Sequence, residues 1–221
     1  MRVLITGATG MVGQGVLREC LVDPAVTQAV TLGRSAAGRR DAKLRELVHA
    51  DFLDYSAVEA ELGGLDACFF CLGVSSVGMS EPDYRRITYD YTLALARTLV
   101  RLNPDLTFVY VSGQGTNADG RSMWGRVKGK TENDLLALHP KAYMFRPGFI
   151  QPMHGVRSRT RVYRIAYAVT TPLFPVLRRL FPSSMTTTAN VGRAMINVAR
   201  DGAPTRILEN RDINALAAAA S

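Results

Sequence analysis

Val3-Leu-Ile-Thr6-Gly7-Ala-Thr-Gly10-Met-Val-Gly13 starts as a short apolar strand and runs into three regularly spaced glycines. Apolar residues recur at helical spacing from Met11 to Leu21, so the glycines join a predicted strand to a predicted helix. In such a turn the first glycine permits the reversal, the second lets a ligand approach the backbone, and the third lets the helix pack near the sheet. The helix N-terminus adds free N–H groups and partial positive charge. We therefore predict a phosphate-binding turn at Gly7, Gly10 and Gly13.

Short apolar runs bounded by turn residues recur along the chain and alternate with helical patterns. The predicted strands are Val3–Thr6, Ala29–Leu32, Glu46–Ala50, Asp66–Leu72, Thr107–Ser112 and Ala142–Phe145. Alternating strands and helices are typical of a parallel sheet that is covered on both faces. The predicted fold class is therefore α/β, a doubly wound parallel sheet of the Rossmann type with a small C-terminal substrate or cap region.

Four helices are predicted between and after these strands. They are Met11–Leu21, Glu81–Leu102, Lys128–Leu138 and Thr187–Arg200. The alanine-rich stretch Ala215–Ala220 is predicted to be frayed. Because no repeat or linker interrupts the pattern, residues 1–221 are interpreted as a single domain, with residues of about 151–190 forming a basic and apolar segment that we call the cap region.

The cysteines favour a reducing environment. Cys20, Cys68 and Cys71 cannot all pair, so no disulfide framework is predicted and a cytoplasmic location is favoured. Cys68 and Cys71 lie three apart on a predicted strand and should point to opposite faces, so we expect no metal site there. No export signal is expected either, because the first apolar stretch breaks at Gly7.

The net charge of +8 is concentrated in the last third of the chain. Between Leu135 and Arg200 no acidic residue occurs and ten basic ones do; these are Lys141, Arg146, Arg157, Arg159, Arg161, Arg164, Arg178, Arg179, Arg193 and Arg200. The longest uncharged run in the cap region, Ile165–Leu177, has 13 residues and is too short to cross a bilayer. Solvated arginines, a cap that meets an acidic substrate, and contact with an anionic membrane surface all remain open. Nucleic-acid binding is not predicted, because aromatic and basic residues are not interleaved.

The glycine turn Thr6–Gly13 resembles that of the short-chain dehydrogenase/reductase superfamily, in the extended or atypical branch that holds the NAD-dependent epimerases and dehydratases. Val127-Lys128-Gly129 and Phe145–Gly148 resemble the Tat-interacting-protein-like and NmrA-like members, some of which act in regulation. The resemblance covers about residues 2 to 150. The cofactor contacts that it implies, beyond the glycines, are Thr9, Met11 and Val12 at the turn, Asp51 and Phe52 beside the adenine, Cys71, Leu72 and Gly73 along the ribose, and Pro147, Phe149 and Ile150 beside the nicotinamide.

The end of the second predicted strand favours NADP(H) over NAD(H). NAD-selective sites present a carboxylate about 20 residues after the glycines, where it binds the ribose hydroxyls. Here that place holds Arg34 and Ser35, with Arg39 and Arg40 nearby. A guanidinium can pair with a 2′-phosphate and stack on the adenine. We therefore predict that Arg34 and Ser35 bind the cofactor, unless Arg34 is only a solvated loop arginine.

In this superfamily a Tyr-x-x-x-Lys pair transfers the proton, since the lysine holds the nicotinamide ribose and lowers the pKa of the tyrosine. The matching positions are Trp124 and Lys128, and an indole offers no acid or base at neutral pH. A hydroxyl near the end of the fifth strand orients the substrate in the superfamily. That position falls on Ser112, or on Gly113 in the other register. Lys128 and Ser112 are thus the predicted catalytic residues, and both are also predicted to contact the cofactor.

Three functions fit this pattern. The first is an NADP-dependent oxidoreductase or epimerase-like enzyme that acts on a small, possibly acidic molecule and uses Tyr84, Tyr89, Tyr91 or water as its proton donor. The second is a non-catalytic NADP(H)-binding regulatory protein or sensor. The third is a basic protein that meets an anionic partner such as a membrane surface. The sequence leaves the substrate and the oligomeric state open.

Overall fold

The computed structural model describes residues 1–154 and 184–219 of the chain. Most of the cap region, including Arg157, Arg159, Arg161 and the Ile165–Leu177 run, lies outside these ranges. The proposed cap and membrane roles of that region therefore stay predictions.

The described strands form two parallel sheets. The strands are β1 (Arg2–Thr6), β2 (Gln28–Gly33), β3 (Leu44–Val48), β4 (Ala67–Phe70), β5 (Thr107–Val111), β6 (Ala142–Arg146), β7 (Phe149–Gln151), β8 (Met185–Thr187) and β9 (Ile207–Glu209). The larger sheet has the order β3-β2-β1-β4-β5-β6-β9, and β7 pairs with β8 in the smaller one. The predicted doubly wound parallel sheet is confirmed.

Six α-helices flank the sheets within the described ranges. They are α1 (Met11–Val22), α2 (Glu81–Arg85), α3 (Tyr91–Leu102), α4 (Met123–Leu138), α5 (Thr188–Asp201) and α6 (Asn210–Ala218). A 3₁₀ turn covers Ser56–Glu61, and a π-helical turn at Arg86–Asp90 joins α2 to α3. The long helix predicted over Glu81–Leu102 therefore exists, with a π turn inside it that its periodicity did not reveal.

The core has two halves because successive strand residues point to opposite faces of the larger sheet. Val3 and Ile5 pack with α1, α5 and α6, whereas Leu4 packs with α3 and α4. Cys68 lies in the second half and Cys71 packs partly against the first, which confirms that they face opposite sides. Among the described residues no cluster of His, Cys, Asp or Glu could hold a metal ion, and no helix has the length and apolarity of a membrane span.

Helix α4 begins at Met123, five residues before its predicted start at Lys128. Gly125 and Gly129 lower the helical propensity there, but packing requires a glycine at position 129. A Cβ atom at Gly129 would lie 2.2 Å from the backbone nitrogen of Ala118. The loop before α4 thus lies directly on the helix. This tertiary contact stabilises the first turns of α4 although their glycines have low helical propensity.

Helix α6 includes Ala215–Ala218, so the prediction of a frayed stretch at Ala215–Ala220 is wrong for this described part. Helix α6 continues to Ala218, and Ala217 is buried in the core. The carboxylate of Asp212 accepts a hydrogen bond from the backbone nitrogen of Glu209 at 3.0 Å, so the helix start is capped. The Asn197 side-chain amide donates to the Leu216 carbonyl at 2.8 Å and holds α6 on α5.

Candidate functional site

A cavity of about 820 Å³ opens at the carboxyl ends of β1, β4 and β5. Because β2 and β4 lie on either side of β1, this is the point where the strand order reverses and where ligands bind in such sheets. Fourteen predicted site residues line it: Gly7, Thr9, Gly10, Met11, Val12, Arg34, Cys71, Leu72, Gly73, Ser112, Lys128, Pro147, Phe149 and Ile150. The fold therefore gathers residues from six separate segments around one space.

The three glycines of the turn have different roles. Gly7 has φ +67°, and a Cβ atom there would lie 2.6 Å from the carbonyl oxygen of Cys71. A Cβ atom at Gly13 would lie 2.2 Å from the carbonyl oxygen of Gly7, so both positions need glycine for the fold itself. At Gly10 the nearest atom to an added Cβ is the Gly7 carbonyl oxygen, at 3.2 Å. Gly10 therefore leaves room that a ligand can use.

The N-terminus of α1 faces the cavity without a side-chain cap. Gly10 is its N-cap, the first turn carries no acidic residue, and Met11 and Val12 line the cavity. The side-chain amide of Gln14 donates to the carbonyl of Thr9 at 2.9 Å and holds the turn in place. Uncapped N–H groups at a helix start attract a phosphate, so the turn fits the predicted pyrophosphate.

Arg34 follows β2 and is exposed at the cavity wall. Its guanidinium forms no ion pair with any other residue in the described ranges. The loop beyond it is anchored, because the backbone nitrogen of Ala37 donates to the carboxylate of Glu46 on β3. The described cavity wall contains two cationic side chains, Arg34 and Lys128, and no carboxylate. This charge pattern favours an anionic ligand.

Lys128 projects from α4 toward the end of β5. Its ammonium group donates to the carbonyl oxygen of Ser112 and, at 3.5 Å, to that of Val111. Burial lowers the pKa of Lys128 to about 8, against an opposing effect of the Glu132 carboxylate. Two of its three donors are thus held by the backbone, which leaves the third for a ligand.

Ser112 is 6% exposed, and its hydroxyl points away from the cavity. The Oγ atom donates to the carboxylate of Glu132, which is 1% exposed and is also bound by Arg146. The Nη2 atom of Arg146 lies 2.5 Å from Oε2 of Glu132, and its Nε atom lies 3.0 Å from Oε1. This geometry does not support the predicted role of the Ser112 hydroxyl in orienting a substrate.

Trp124 lies one helical turn before Lys128 and is not part of the described cavity wall. Its six-membered ring packs on the loop after β5, where a Cβ atom added at Gly115 would lie 3.6 Å from Cη2 of the indole. The residue in the place of the superfamily's tyrosine is thus a packing residue.

The three tyrosines predicted as substitute proton donors lie elsewhere. Tyr84 is buried in the core, and burial raises its pKa. The hydroxyl of Tyr89 donates to Asp134, and Tyr91 packs against Phe52 with ring centroids 5.5 Å apart. None of the three lines the described part of the cavity, so the structure gives no support to a tyrosine donor, and the alternative of water stays a prediction.

Four predicted contacts do not line the cavity in the described residues, namely Gly13, Ser35, Asp51 and Phe52. Gly13 packs against the backbone of Gly7, and Phe52 is buried among aromatic rings. Asp51 is exposed and accepts a hydrogen bond from the backbone of Leu53 at 2.9 Å. The third strand ends at Val48, earlier than predicted, so Asp51 and Phe52 lie in the turn beyond it.

Six further residues line the cavity: Val74, Ser75, Val111, Gly113, Gln114 and Gly148. Of these, Gly113 was named only as the other register of the hydroxyl position, and the remaining five were not predicted. They follow or end β4, β5 and β6, whose carboxyl ends lie at one edge of the sheet. Parallel pairing of these strands was predictable, so each segment after a strand was a candidate. The backbone nitrogen of Gln114 donates to the carbonyl of Pro147 at 2.9 Å, which joins two of these segments.

Residues 3–137 match the sequence model of the NAD dependent epimerase/dehydratase family. The chain therefore belongs to this family, whose name supports a nicotinamide dinucleotide as the ligand of the cavity. The fold resembles dTDP-glucose 4,6-dehydratase of Streptomyces venezuelae, solved with NAD and TYD bound, with a TM-score of 0.65 and 20% identity, over 98% of this chain and 80% of that one.

Curated relatives correct the predicted location. The chain is 27% identical over 207 residues to Protein FMP52-2, mitochondrial, of Scheffersomyces stipitis, which covers 90% of this chain and 87% of the relative. It is 28% identical to Protein fmp52, mitochondrial, of Emericella nidulans, over 72% of this chain and 70% of the relative. These names contradict the predicted cytoplasmic location. Cysteine usage reports only redox conditions, and more than one compartment can keep thiols reduced.

Proposed function

We propose that the protein binds NADP(H) in this cavity and transfers a hydride between the cofactor and a small carbonyl or alcohol. The observation that carries the proposal is the positive charge of the cavity. Its described wall contains the uncapped start of α1 and two cationic side chains, and it contains no carboxylate. Arg34 lies on the β2 side of the crevice and Lys128 on the β5 side. An extended dinucleotide with a phosphate near one end matches this arrangement.

Each part of the cofactor has a proposed partner. The glycine turn takes the pyrophosphate, which the uncapped N–H groups at the start of α1, at Met11 and Val12, can bind. Arg34 takes the 2′-phosphate, in accordance with the NADP(H) preference predicted from the residues after β2. Phe149 and Ile150 supply the apolar surface beside the nicotinamide ring.

Replacing Arg34 with aspartate should reverse the cofactor preference. The loss of one charge-assisted contact is about 1.5–3 kcal/mol, so NADPH should bind at least roughly tenfold more weakly, and the new carboxylate can bind the ribose hydroxyls of NADH. Titrations that follow cofactor fluorescence measure both affinities.

Arg39 is the matched control for this experiment. It is exposed in the same loop and does not line the cavity, so Arg39→Asp should leave the ratio of the two affinities within about twofold. Equal or tighter binding of NADH by the unchanged protein would overturn the proposed role of Arg34.

For the reaction itself, a bound nicotinamide supplies or accepts the hydride. The protein must then provide a proton to the carbonyl oxygen, or remove one from the alcohol. We assign this proton to the ammonium of Lys128, which solvent reprotonates after each turnover. Its pKa of about 8 lies close to neutral pH, the range in which a general acid works well.

Reduction of a carbonyl should therefore depend on pH in a defined direction. Burial lowers the pKa of Lys128 to about 8, so the proton is present below that pH and is lost above it. The rate of NADPH oxidation should fall about tenfold for each pH unit above 8, and Lys128→Ala should abolish the reaction. Steady-state rates over a panel of aldehydes and ketones measure this effect, and a flat profile between pH 7 and 10 would contradict it.

A cofactor-binding sensor is the second candidate function. The observation that favours it is that no tyrosine lines the described cavity wall. In that case NADPH would bind tightly without turnover of any carbonyl. Lys128→Ala would then weaken cofactor binding and change no rate.

A further inference from the structure

We propose that Gln114, and not Ser112, donates the hydrogen bond that holds the substrate oxygen in the cavity. This inference rests on the hydride-transfer function proposed above, because it concerns the oxygen whose carbon exchanges the hydride. Gln114 would then be a catalytic residue, and Ser112 would serve only the fold.

The Ser112 hydroxyl already donates a hydrogen bond within the protein. It has one proton to donate, and that proton points to the carboxylate of Glu132. Glu132 is itself fixed by two nitrogens of Arg146, and the carbonyl of Phe145 lies 3.1 Å from the same hydroxyl. Rotating the hydroxyl toward the cavity would leave a buried carboxylate with one hydrogen bond fewer, which is costly.

Gly113 has no side chain, so the first polar side chain after Ser112 that lines the cavity is that of Gln114. The backbone of Gln114 is fixed by its hydrogen bond to the carbonyl of Pro147. Its side chain is exposed in the cavity, and no side-chain hydrogen bond joins it to the rest of the described chain. The amide donors of Gln114 are therefore available to a ligand.

Gly148 makes room for this side chain. A Cβ atom at Gly148 would lie 2.9 Å from Oε1 of Gln114, so the amide lies over the glycine backbone at the carboxyl end of β6. The next residues, Phe149 and Ile150, line the cavity with apolar surface. Gln114 and Lys128 thus line the same cavity as the surface proposed for the nicotinamide.

The chemistry of an amide fits this position. The Nε2 group donates hydrogen bonds without titrating, so it polarises a carbonyl oxygen at any pH while Lys128 supplies the proton. As electrons move from the hydride donor to the carbonyl carbon, negative charge grows on the oxygen, and a fixed donor stabilises it most at that stage. Removing one such donor typically lowers kcat by about 10²-fold or more.

The first test compares three variants in carbonyl reduction. Gln114→Met keeps the approximate length of the side chain and removes its N–H donors without adding a charge, and Gln114→Ala removes the group entirely. Both should lower kcat by about 10²-fold and leave NADPH affinity and urea stability within about twofold and 1 kcal/mol of the unchanged protein. Ser112→Ala should retain most of kcat. A larger loss of kcat in Ser112→Ala than in Gln114→Ala would overturn the proposal.

The second test needs no turnover. The side-chain amide resonances of glutamine are recorded by NMR in the protein loaded with NADP⁺, with cyclohexanone as the carbonyl probe, and Gln114 is assigned from the Gln114→Ala variant. We expect the Gln114 resonances to shift, whereas those of Gln14, which is bound to Thr9, should not. Shifts of the Phe149 and Ile150 backbone without a shift of Gln114 would overturn the proposal. If Gln114 responds but no carbonyl is reduced, the proposed enzymatic function fails and the Gln114 contact stands.

Discussion

Glu132→Gln should lower the free energy of unfolding by about 3 kcal/mol, the largest effect that we expect outside the cavity. The carboxylate of Glu132 is 1% exposed and binds both Arg146 and Ser112. Losing its charge leaves a cation that is only 21% exposed without its main partner. The effect should fall at the lower end of the range for buried ion pairs, because Arg146 keeps its contact with Glu209 at 3.2 Å.

Urea denaturation measures this loss, and Glu209→Gln is the matched control. Glu209 binds the same guanidinium but is 49% exposed, so its replacement should cost less than about 1 kcal/mol. Equal losses in the two variants would show that burial of Glu132 does not determine the strength of the pair.

Gly13→Ala should destabilise the protein and abolish cofactor binding together. Its Cβ atom would lie 2.2 Å from the carbonyl oxygen and 2.6 Å from the carbonyl carbon of Gly7, and backbone atoms cannot be displaced cheaply. Overpacking of this kind costs about 1–3 kcal/mol and would distort the turn that holds the pyrophosphate. We expect at least a roughly hundredfold loss of NADPH affinity.

Gly10→Ala separates ligand binding from folding. The added methyl group meets only the Gly7 carbonyl oxygen, at 3.2 Å, so stability should change by less than about 1 kcal/mol. NADPH affinity should nevertheless fall at least roughly tenfold, because the methyl group occupies the space into which the pyrophosphate fits. Unchanged affinity in Gly10→Ala would contradict the placement of the phosphates at this turn.

The parts of the fold that local pattern determines were predictable. Val3–Thr6, the glycines and the apolar helix after them identify β1 and α1, and the fully buried β4 follows from its continuous apolar run. The strands β7, β8 and β9 have three residues each and too little pattern to be recognised. Helix α6 escaped prediction because its alanines suggest low complexity, whereas its burial against α5 comes from packing.

In the site, too, the residues that belong to a local motif were predictable and those placed by tertiary contacts were not. Glycine spacing and the basic residue after β2 predicted the turn and Arg34, which line the cavity together. The direction of the Ser112 hydroxyl was not predictable, because it depends on Glu132, which lies 20 residues further along the chain. The missed residue Gln114 is placed by the pairing of β5 with β6, and no local motif signals that contact.

The last strand of the sheet also has a consequence for biosynthesis. β9 pairs with β6, and its terminal residue Glu209 meets Arg146 across 63 residues of sequence. Until those residues have been made, the edge of β6 exposes unpaired backbone groups, which can pair with other chains. At typical synthesis rates this interval is roughly 3–13 s, and during it the nascent chain can aggregate through the exposed edge of β6.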